Sequence, residues 1–268
     1  MKASYRNVVI NSANLFVIAT ILEMTLHEFG HFFASIFVHA QGISIHHNYV
    51  SHSDVNLSQS GSIILTAAGP IVSLIIGILF HLISFGQKKR NTFFLFNVYM
   101  SLFGYIGFFG YMMIAPFFPD GDTGYVCRAL GFPMWLTVLM AIGAAIILYF
   151  LVNSLIEYMV EMGSAEIMGE RKSRKEFVYA IIFLPLIIGI VVTTLLNLPV
   201  PTPLSLIAPL CSPWTIMFGY HNAIVRKYPS EKANREFDRL TRFQPALVVF
   251  LVLIVIVNRL LVNGIYVK

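Results

Sequence analysis

The chain has 268 residues, of which 57% are hydrophobic and 12% carry a charge, about half the charged fraction of an ordinary soluble domain. A mean hydropathy of +0.76 and several long apolar runs indicate a polytopic membrane protein and exclude a soluble globular enzyme. The net charge of +5 lies in short loops, so it reports on membrane topology and not on a nucleic-acid surface. Cys127 and Cys211 are too few and too far apart to indicate a disulfide framework or a cysteine zinc site.

The first predicted helix, roughly residues 8–38, is longer than a bilayer of ~30 Å requires, so it must tilt, kink or protrude. It is too long for a cleavable signal peptide and lacks a small-residue cleavage site. The following residues 41–60 are polar and rich in His, Ser and Asn. An alternating patch at Ile43-Ser44-Ile45 favours a re-entrant or interfacial hairpin in this segment.

Six further spans are predicted after the hairpin, at about residues 63–85, 92–118, 134–160, 177–196, 204–225 and 246–262. The second helix contains Ala67-Ala68-Gly69-Pro70, whose small residues allow a neighbouring helix to approach closely. Two prolines force the chain out of helix at residues 116–122. Pro209 and Pro213 should break the sixth span, and residues 226–242 form a charged stretch that favours a solvated or headgroup-facing surface.

The basic residues alternate between successive connections along the chain. From the N-terminus onward, Lys and Arg in these connections count 2, 0, 3, 1, 4, 0 and 6. Basic residues accumulate on the cytoplasmic side of membrane proteins, so this alternation favours seven transmembrane helices and a cytoplasmic N-terminus. The fold class predicted is an all-α polytopic membrane protein with six to seven transmembrane helices. The hairpin and Asp120 should then share the non-cytoplasmic side.

The first helix carries the sequence His27-Glu28-Phe29-Gly30-His31. Histidines four residues apart lie one turn apart on one helix face, where both can bind one zinc ion. Glu28 lies at the edge of that face, where a base for the attacking water belongs. Glu23, one turn before His27, could accept a hydrogen bond from a ligand imidazole, although an ordinary buried polar contact explains it equally well.

A catalytic zinc ion usually has three protein ligands, so a third must come from elsewhere in the chain. Of four aspartates, Asp120 and Asp122 lie at a helix break near membrane depth, where an ionisable group is costly without a partner. Either one could be the third ligand. The alternative for the whole motif is a pair of histidines hydrogen-bonded inside a helix bundle without a metal.

The order of His27-Glu28-Phe29-Gly30-His31, a hairpin-like loop, Ala68-Gly69-Pro70 and Asp120-Gly121 resembles the site-2 protease family over roughly residues 20–125. The resemblance implies an intramembrane zinc metalloendopeptidase with one zinc ion per chain, acting on transmembrane segments of membrane-protein substrates within the lipid bilayer. It implies His27, His31 and Asp120 as zinc ligands and Glu28 as the general base. It also implies a three-helix core over residues 1–125, with the polar loop 41–60, followed by an accessory bundle of about four helices over residues 126–268.

The chain departs from the family pattern in two respects. The family usually has an asparagine and a proline ahead of its Asp-Gly pair and a second glycine after it. Here the asparagine is absent at that spacing and Asp122 replaces the second glycine, so Asp120 is preferred over Asp122 without excluding it. The family site generally opens toward the cytosol, whereas the distribution of basic residues places this one on the other side.

Several further expectations concern the substrate and the rival functions. The segment 42–50 could bind an unwound substrate as an added strand, and His52, Ser53 and Asp54 could line the mouth of a polar cavity. The loop histidines favour a hydrated loop over an accessory metal site. A metal transporter would need polar groups along several helices, which helices four to seven lack, and a catalytically silent adaptor is disfavoured by the presence of Glu28.

Overall fold

The computed structural model describes residues 3–53, 55, 57–226, 228 and 237–267. Six helices within these residues are long and apolar enough to cross a membrane, which confirms the predicted all-α polytopic class. They are Tyr5–Phe37, Gln59–Gly86, Thr92–Ile114, Met134–Val160, Arg171–Leu196 and Pro245–Asn263.

Several of these spans are composed of more than one helical element, and short helices connect them. The α-helices are α1 (Ala3–Phe37), α2 (Gln59–Gly86), α3 (Thr92–Tyr105), α4 (Tyr111–Ile114), α5 (Asp122–Ala129), α6 (Met134–Val160), α7 (Ala165–Gly169), α8 (Arg171–Val178), α9 (Leu184–Leu196), α10 (Ile207–Cys211), α11 (Tyr220–Val225), α12 (Phe237–Leu240) and α13 (Pro245–Leu260). Turns of π-helix join α3 to α4 (Ile106–Gly110) and α8 to α9 (Tyr179–Phe183), and 3₁₀ turns cover Pro203–Leu206, Ser212–Phe218 and Leu261–Asn263.

Helix α1 lies at the centre of the bundle. It packs against α2, α3, α9 and α13, and 72% of its most apolar window is buried, compared with 11% for the span that contains α13. The outer helices therefore present apolar side chains to lipid, whereas α1 is surrounded by protein. This arrangement allows α1 to carry ionisable side chains at membrane depth, because they face protein groups and not hydrocarbon.

The polar segment after α1 forms the predicted hairpin, with strands β1 (Gln41–Ile45) and β2 (Val50–Ser53) paired antiparallel. A third strand, β3 (Ile265–Tyr266), pairs antiparallel with the other edge of β1. The strand order is therefore β2-β1-β3, and β1 is covered on both sides. We call this end of the bundle, where α1 finishes and the sheet lies, the hairpin end.

The opposite end, where α1 begins, is called the basic end and includes the basic loop 87–90. The guanidinium group of Arg90 pairs there with Glu161, with Nη2 and Oε2 2.8 Å apart. The side-chain amide of Asn7 donates to the Thr241 carbonyl at 2.8 Å, which brings the segment before α13 to the same end. Among the described basic residues, Arg6, Arg90 and Arg242 thus lie at this end of the bundle.

The predicted sixth span, residues 204–225, is not one continuous helix. It is a series of short α and 3₁₀ turns from Pro203 to Val225, because Pro209 and Pro213 lack the amide hydrogens that a regular helix requires. Its first part follows Asn197, whose carbonyl lies 3.0 Å from His47 Nε2 at the hairpin end. Its last part leads to Arg226, which pairs with Glu157 near the basic end. The segment thus traverses the bundle in pieces, in addition to the six helices of the described residues that are long and apolar enough to cross a membrane.

Candidate metal centre

Helix α1 brings His27 and His31 together on one face, as their spacing predicts. The Nε2 atoms of the two rings lie 3.1 Å apart. One carboxylate oxygen of Asp122, Oδ2, lies 3.1 Å from Nε2 of His27 and 3.3 Å from Nε2 of His31. Among the described residues, these three side chains form the one group of His, Cys, Asp or Glu that could hold a metal ion.

The structure separates Asp120 from Asp122 and reverses the order of preference between them. Asp120 pairs with Arg128 at 2.7 Å, and 78% of its side chain is exposed, so it contacts neither histidine. Asp122 begins α5, directly after Gly121 as N-cap, and 24% of its side chain is exposed. The chain reverses after the two prolines, and the first turn of α5 then directs Asp122 back into the bundle.

The charge state of Asp122 suits a ligand role. Burial by itself would raise the pKa of this carboxyl, but the charge of the facing His31 ring and the contacts with both imidazoles outweigh it. The net effect holds the pKa of Asp122 well below its ordinary value, so the group is a carboxylate at neutral pH. A bound metal ion would displace the proton that the two imidazoles and the carboxylate share, and a carboxylate with two neutral imidazoles is a usual donor set for a catalytic zinc ion.

Gly69 on α2 provides the space that an ion would need. A β-carbon at residue 69 would lie 2.2 Å from Nε2 of His31 and 2.6 Å from Nε2 of His27, which is closer than non-bonded atoms can approach. The glycine therefore leaves open the volume in front of both ligand nitrogens. The small residues of α2 also set the helix spacing, since a β-carbon at Gly30 would meet the Ala68 carbonyl oxygen at 2.8 Å. The residues present thus fit a zinc ion.

The outer nitrogen of each imidazole has a hydrogen-bond acceptor, which directs the Nε2 lone pairs toward the centre. Nδ1 of His31 lies 2.9 Å from the Leu65 carbonyl oxygen. Nδ1 of His27 lies 2.9 Å from Ser73 Oγ, and the Ser73 hydroxyl donates to Glu23 at 2.5 Å. Glu23 therefore acts on His27 through Ser73, a residue that the sequence analysis did not identify because a single serine in an apolar helix carries no pattern.

The π turn between α3 and α4 accommodates Glu23 and positions Tyr111. A β-carbon at Gly107, within this turn, would lie 2.5 Å from the Glu23 carboxylate and 2.8 Å from Ser73 Oγ. Just after the turn, the Tyr111 ring stacks on the His27 ring, with centroids 5.4 Å apart and planes inclined by 21°. Tyr111 was not singled out from the sequence, because a π turn has no recognisable periodicity.

A cavity of about 570 Å³ contains the three ligand candidates and Glu28. Glu28 itself is 8% exposed. The cavity walls come from α1, α2, the π turn, α5, the hairpin and the series of short turns Pro203–Val225, which we call the broken segment. The hairpin and the broken segment contribute, among others, Asn48, Tyr49, Val50, His52, Ser205, Ile207, Pro209, Ser212, Pro213 and Thr215. Irregular backbone at membrane depth is tolerated where it lines such a cavity, which accounts for the broken sixth crossing.

Three consecutive residues, 52–54, were expected to line the mouth of the cavity. His52 lines the cavity, Ser53 is not among the lining residues, and Asp54 lies outside the described residues.

Two other loop histidines make structural contacts in the hairpin. His46 stacks on Tyr49 with ring centroids 4.2 Å apart, so it holds the hairpin turn. Burial lowers the pKa of His47, and its Nε2 lies 3.0 Å from the Asn197 carbonyl oxygen.

A family model described as Peptidase M50B-like matches residues 5–113 of this chain. The matched residues include α1, the hairpin and α2, and therefore His27, Glu28, His31 and Gly69, whereas Asp122 lies beyond them. Comparison with curated proteins and with solved structures gives no match.

Proposed function

Since residues 5–113 match a Peptidase M50B-like family model and resemble the site-2 protease family, we propose that this protein is a zinc-dependent endopeptidase that cleaves membrane proteins in or near their transmembrane segments. The observation that supports it best is the convergence of His27, His31 and Asp122 in front of Gly69, inside a membrane-embedded bundle. We propose these three side chains as the ligands of one zinc ion, in place of the set with Asp120.

A zinc ion held there would polarise the scissile carbonyl and make a water molecule more acidic. Glu28 follows His27 directly and lines the same cavity. We assign it the proton transfers: it takes a proton as the water oxygen attacks the carbonyl carbon and delivers it to the leaving nitrogen as the C–N bond breaks. The roles of Ser73 and Glu23 are to orient His27.

The sheet offers an edge for a substrate strand beside the cavity. Both edges of β1 are paired, so the open edges among the described strands belong to β2 and to the two-residue β3, and of these two strands β2 lines the cavity. The His46 amide donates to the Tyr49 carbonyl, and Val50 lies opposite Ile45. Because antiparallel pairing alternates inward and outward amides, the N–H and C=O of Val50 point away from β1. Val50 also lines the cavity, so a peptide added to this edge would run beside the metal centre with its backbone extended. The clamp expected over residues 42–50 is therefore proposed on β2 (Val50–Ser53) instead, because β1 is paired on both edges.

The accessory part of the chain contributes to this site. In the proposed division into a core of residues 1–125 and an accessory bundle of residues 126–268, the broken segment of the accessory bundle forms one cavity wall. We also propose a cytoplasmic N-terminus, because the described basic residues Arg6, Arg90 and Arg242 lie at the end at which α1 begins. The cavity, which lies toward the hairpin end, then opens on the non-cytoplasmic side.

No observation favours the rival functions. A metal transporter needs ligands along a path, whereas within the described residues the candidate metal ligands form one cluster. A silent adaptor has no need of a base, yet Glu28 lies in the cavity beside the ligands.

The decisive experiment compares wild type with Glu28→Gln in proteoliposomes that contain single-span membrane-protein substrates. Glu28→Gln should retain about one zinc ion per chain and lose cleavage by a factor of about 10² or more. The matched control is Glu176→Gln, since Glu176 is exposed on α8 and should cleave like wild type. Normal cleavage by Glu28→Gln, or a zinc-loaded wild type that cleaves no membrane substrate, would contradict the proposal.

A further inference from the structure

Tyr111 has no assigned role in the chemistry proposed so far, although its ring lies directly against a ligand histidine. The ring stacks on His27, and the side chain lines the cavity that contains His31 and Glu28. It lies close enough to Asp122 and Glu28 for their charges to act on its phenol group. In the part of the chain that the structure describes, no group hydrogen-bonds to the Tyr111 hydroxyl.

The backbone reaches this position through a rare feature. The π turn Ile106–Gly110 interrupts an otherwise α-helical span, and such a turn rotates the residues that follow it around the helix axis. Before the turn, Gly104 packs against the Ser73 and Gly77 backbone of α2. After the turn, Tyr111 faces α1. The π turn thus directs a phenol group at the metal centre, where a regular helix would continue to pack on α2.

The other polar side chains around the histidines already donate their hydrogens elsewhere. The Thr20 hydroxyl donates to the Phe16 carbonyl, and Ser73 donates to Glu23. The Nδ1 atoms of both histidines face acceptors. Glu28 and Asp122 as carboxylates have no hydrogen to donate. Among the described tyrosines, Tyr111 is the one whose ring contacts a ligand histidine, and its hydroxyl is not committed to another described residue.

Peptide hydrolysis creates a need for such a donor. When the water oxygen bonds to the carbonyl carbon, an electron pair moves onto the carbonyl oxygen and negative charge develops there. A donor fixed in place before the reaction stabilises that charge more than it stabilises the neutral substrate. A phenol is protonated at neutral pH, since its ordinary pKa is about 10, and its ring is held here by stacking.

We propose that the Tyr111 hydroxyl donates a hydrogen bond to the oxyanion that forms on the scissile carbonyl. This inference rests on the proposed endopeptidase function. Tyr111 keeps its proton throughout: Glu28 takes the proton of the water and passes it to the leaving nitrogen, and the electron pair on the oxyanion returns to reform the carbonyl as the C–N bond breaks.

The test is Tyr111→Phe, which keeps the ring against His27 and removes only the hydroxyl. Loss of one oxyanion donor costs about 10²-fold to 10³-fold in kcat, so we expect a fall of that order, with KM changed by less than about twofold and zinc content unchanged. The control is Tyr149→Phe, because Tyr149 is exposed on α6. It should cleave like wild type.

A binding measurement separates a hydrogen bond to the oxyanion from a merely structural role. A phosphinic peptide, whose tetrahedral anionic group imitates the oxyanion, should bind Tyr111→Phe more weakly by a factor similar to the loss in kcat. The corresponding cleavable peptide is measured in a Glu28→Gln background, in which it stays intact. Its affinity should differ by no more than about twofold between the variants with and without the Tyr111 hydroxyl.

Each contrary result has a distinct meaning. Equal cleavage by wild type and Tyr111→Phe overturns the assignment of Tyr111 and leaves the proposed function intact. Loss of zinc from Tyr111→Phe, or unchanged affinity for the phosphinic peptide, also overturns it, because the hydroxyl would then act on the structure of the site. Absence of cleavage by wild type overturns the proposed function and this inference together.

Discussion

Gly69 of α2 lies so close to His31 of α1 that a β-carbon at residue 69 would be only 2.2 Å from the ring nitrogen Nε2. The same added atom would also crowd the Nε2 atom of His27. The absence of a side chain at this one position therefore keeps open the volume toward which both imidazoles point. The glycine of the Ala-Gly-Pro sequence thus lies in the candidate metal centre and is not only a helix-packing residue.

Gly69→Ala should consequently impair metal binding far more than it impairs folding. The added methyl group must displace one imidazole, so we expect zinc affinity to fall at least about tenfold, the lower range for a misdirected ligand. Metal analysis and titration with a zinc chelator measure this. Gly143→Ala is the control, since a β-carbon there meets nothing within 4 Å. Unchanged zinc affinity in Gly69→Ala would place the ion elsewhere.

The two aspartates give opposite predictions for metal occupancy. Asp122→Asn should reduce zinc occupancy strongly, because it removes the carboxylate that lies within 3.3 Å of both histidines. Asp120→Asn should leave occupancy within about twofold of wild type, since an exposed ion pair such as Asp120–Arg128 contributes about 1 kcal/mol or less. Zinc content measured at one protein concentration distinguishes them. The reverse ranking would restore Asp120 as ligand.

Ser73→Ala tests the connection between Glu23 and His27. Removal of the hydroxyl leaves His27 Nδ1 without its acceptor and the buried Glu23 carboxyl without its donor. Partners of ligand histidines typically contribute 10-fold to 100-fold in metal affinity, so we expect a loss in that range. Ser84→Ala is a matched control on the same helix, because Ser84 Oγ is buried and has no hydrogen-bond partner. Equal zinc affinity in both variants would make the Glu23–Ser73 contact purely structural.

The open edge of β2 can be tested at Val50. Val50→Pro removes an outward amide hydrogen without removing a β1–β2 hydrogen bond, whereas Val50→Ala keeps that hydrogen. If the substrate adds as a strand, loss of one backbone hydrogen bond of about 1 kcal/mol should raise KM roughly fivefold to tenfold. Val50→Ala serves as the control for the lost side chain. The same KM in both variants would rule out pairing at this residue.

Thiol labelling of Cys211 can determine the side of the membrane on which the cavity opens. Its side chain is exposed and lines the cavity, whereas Cys127 is buried. In sealed vesicles of known orientation, a membrane-impermeant thiol reagent should label Cys211 from the non-cytoplasmic side. Cys211→Ser should abolish the labelling. Labelling from the cytoplasmic side alone would reverse the proposed topology.

Local patterns predicted those parts of the site that are themselves local. The four-residue spacing of His27 and His31 determines a shared helix face, and the alternation at Ile43-Ser44-Ile45 determines a strand. Both were confirmed because they depend on the period of one element. The broken sixth crossing was likewise foreseeable, since Pro209 and Pro213 act on their own backbone.

Contacts between elements were beyond such reasoning. The choice between Asp120 and Asp122 depends on the residue at which α5 begins after a chain reversal, and no periodicity encodes that. Ser73 lies in a helix whose pattern is otherwise apolar. Tyr111 reaches His27 only because a π turn shifts the register of its helix. Each of these contacts depends on how a second helix packs against the first, which the residue pattern of a single helix does not reveal.

The position of α1 at the centre of the bundle has a consequence for how the protein is made. Glu23, His27, Glu28 and His31 all lie on this helix and are each less than a tenth exposed, yet an ionisable group in bare lipid costs several kcal/mol. Their partners arrive later in the chain: the Leu65 carbonyl and Ser73 on α2, and Asp122 on α5. α1 is long and apolar enough to cross a membrane, but before α2 and α5 follow it these four groups lack the partners that offset their cost. The packing of α2 and α5 should therefore stabilise α1 in the bilayer and complete the candidate metal centre in the same step.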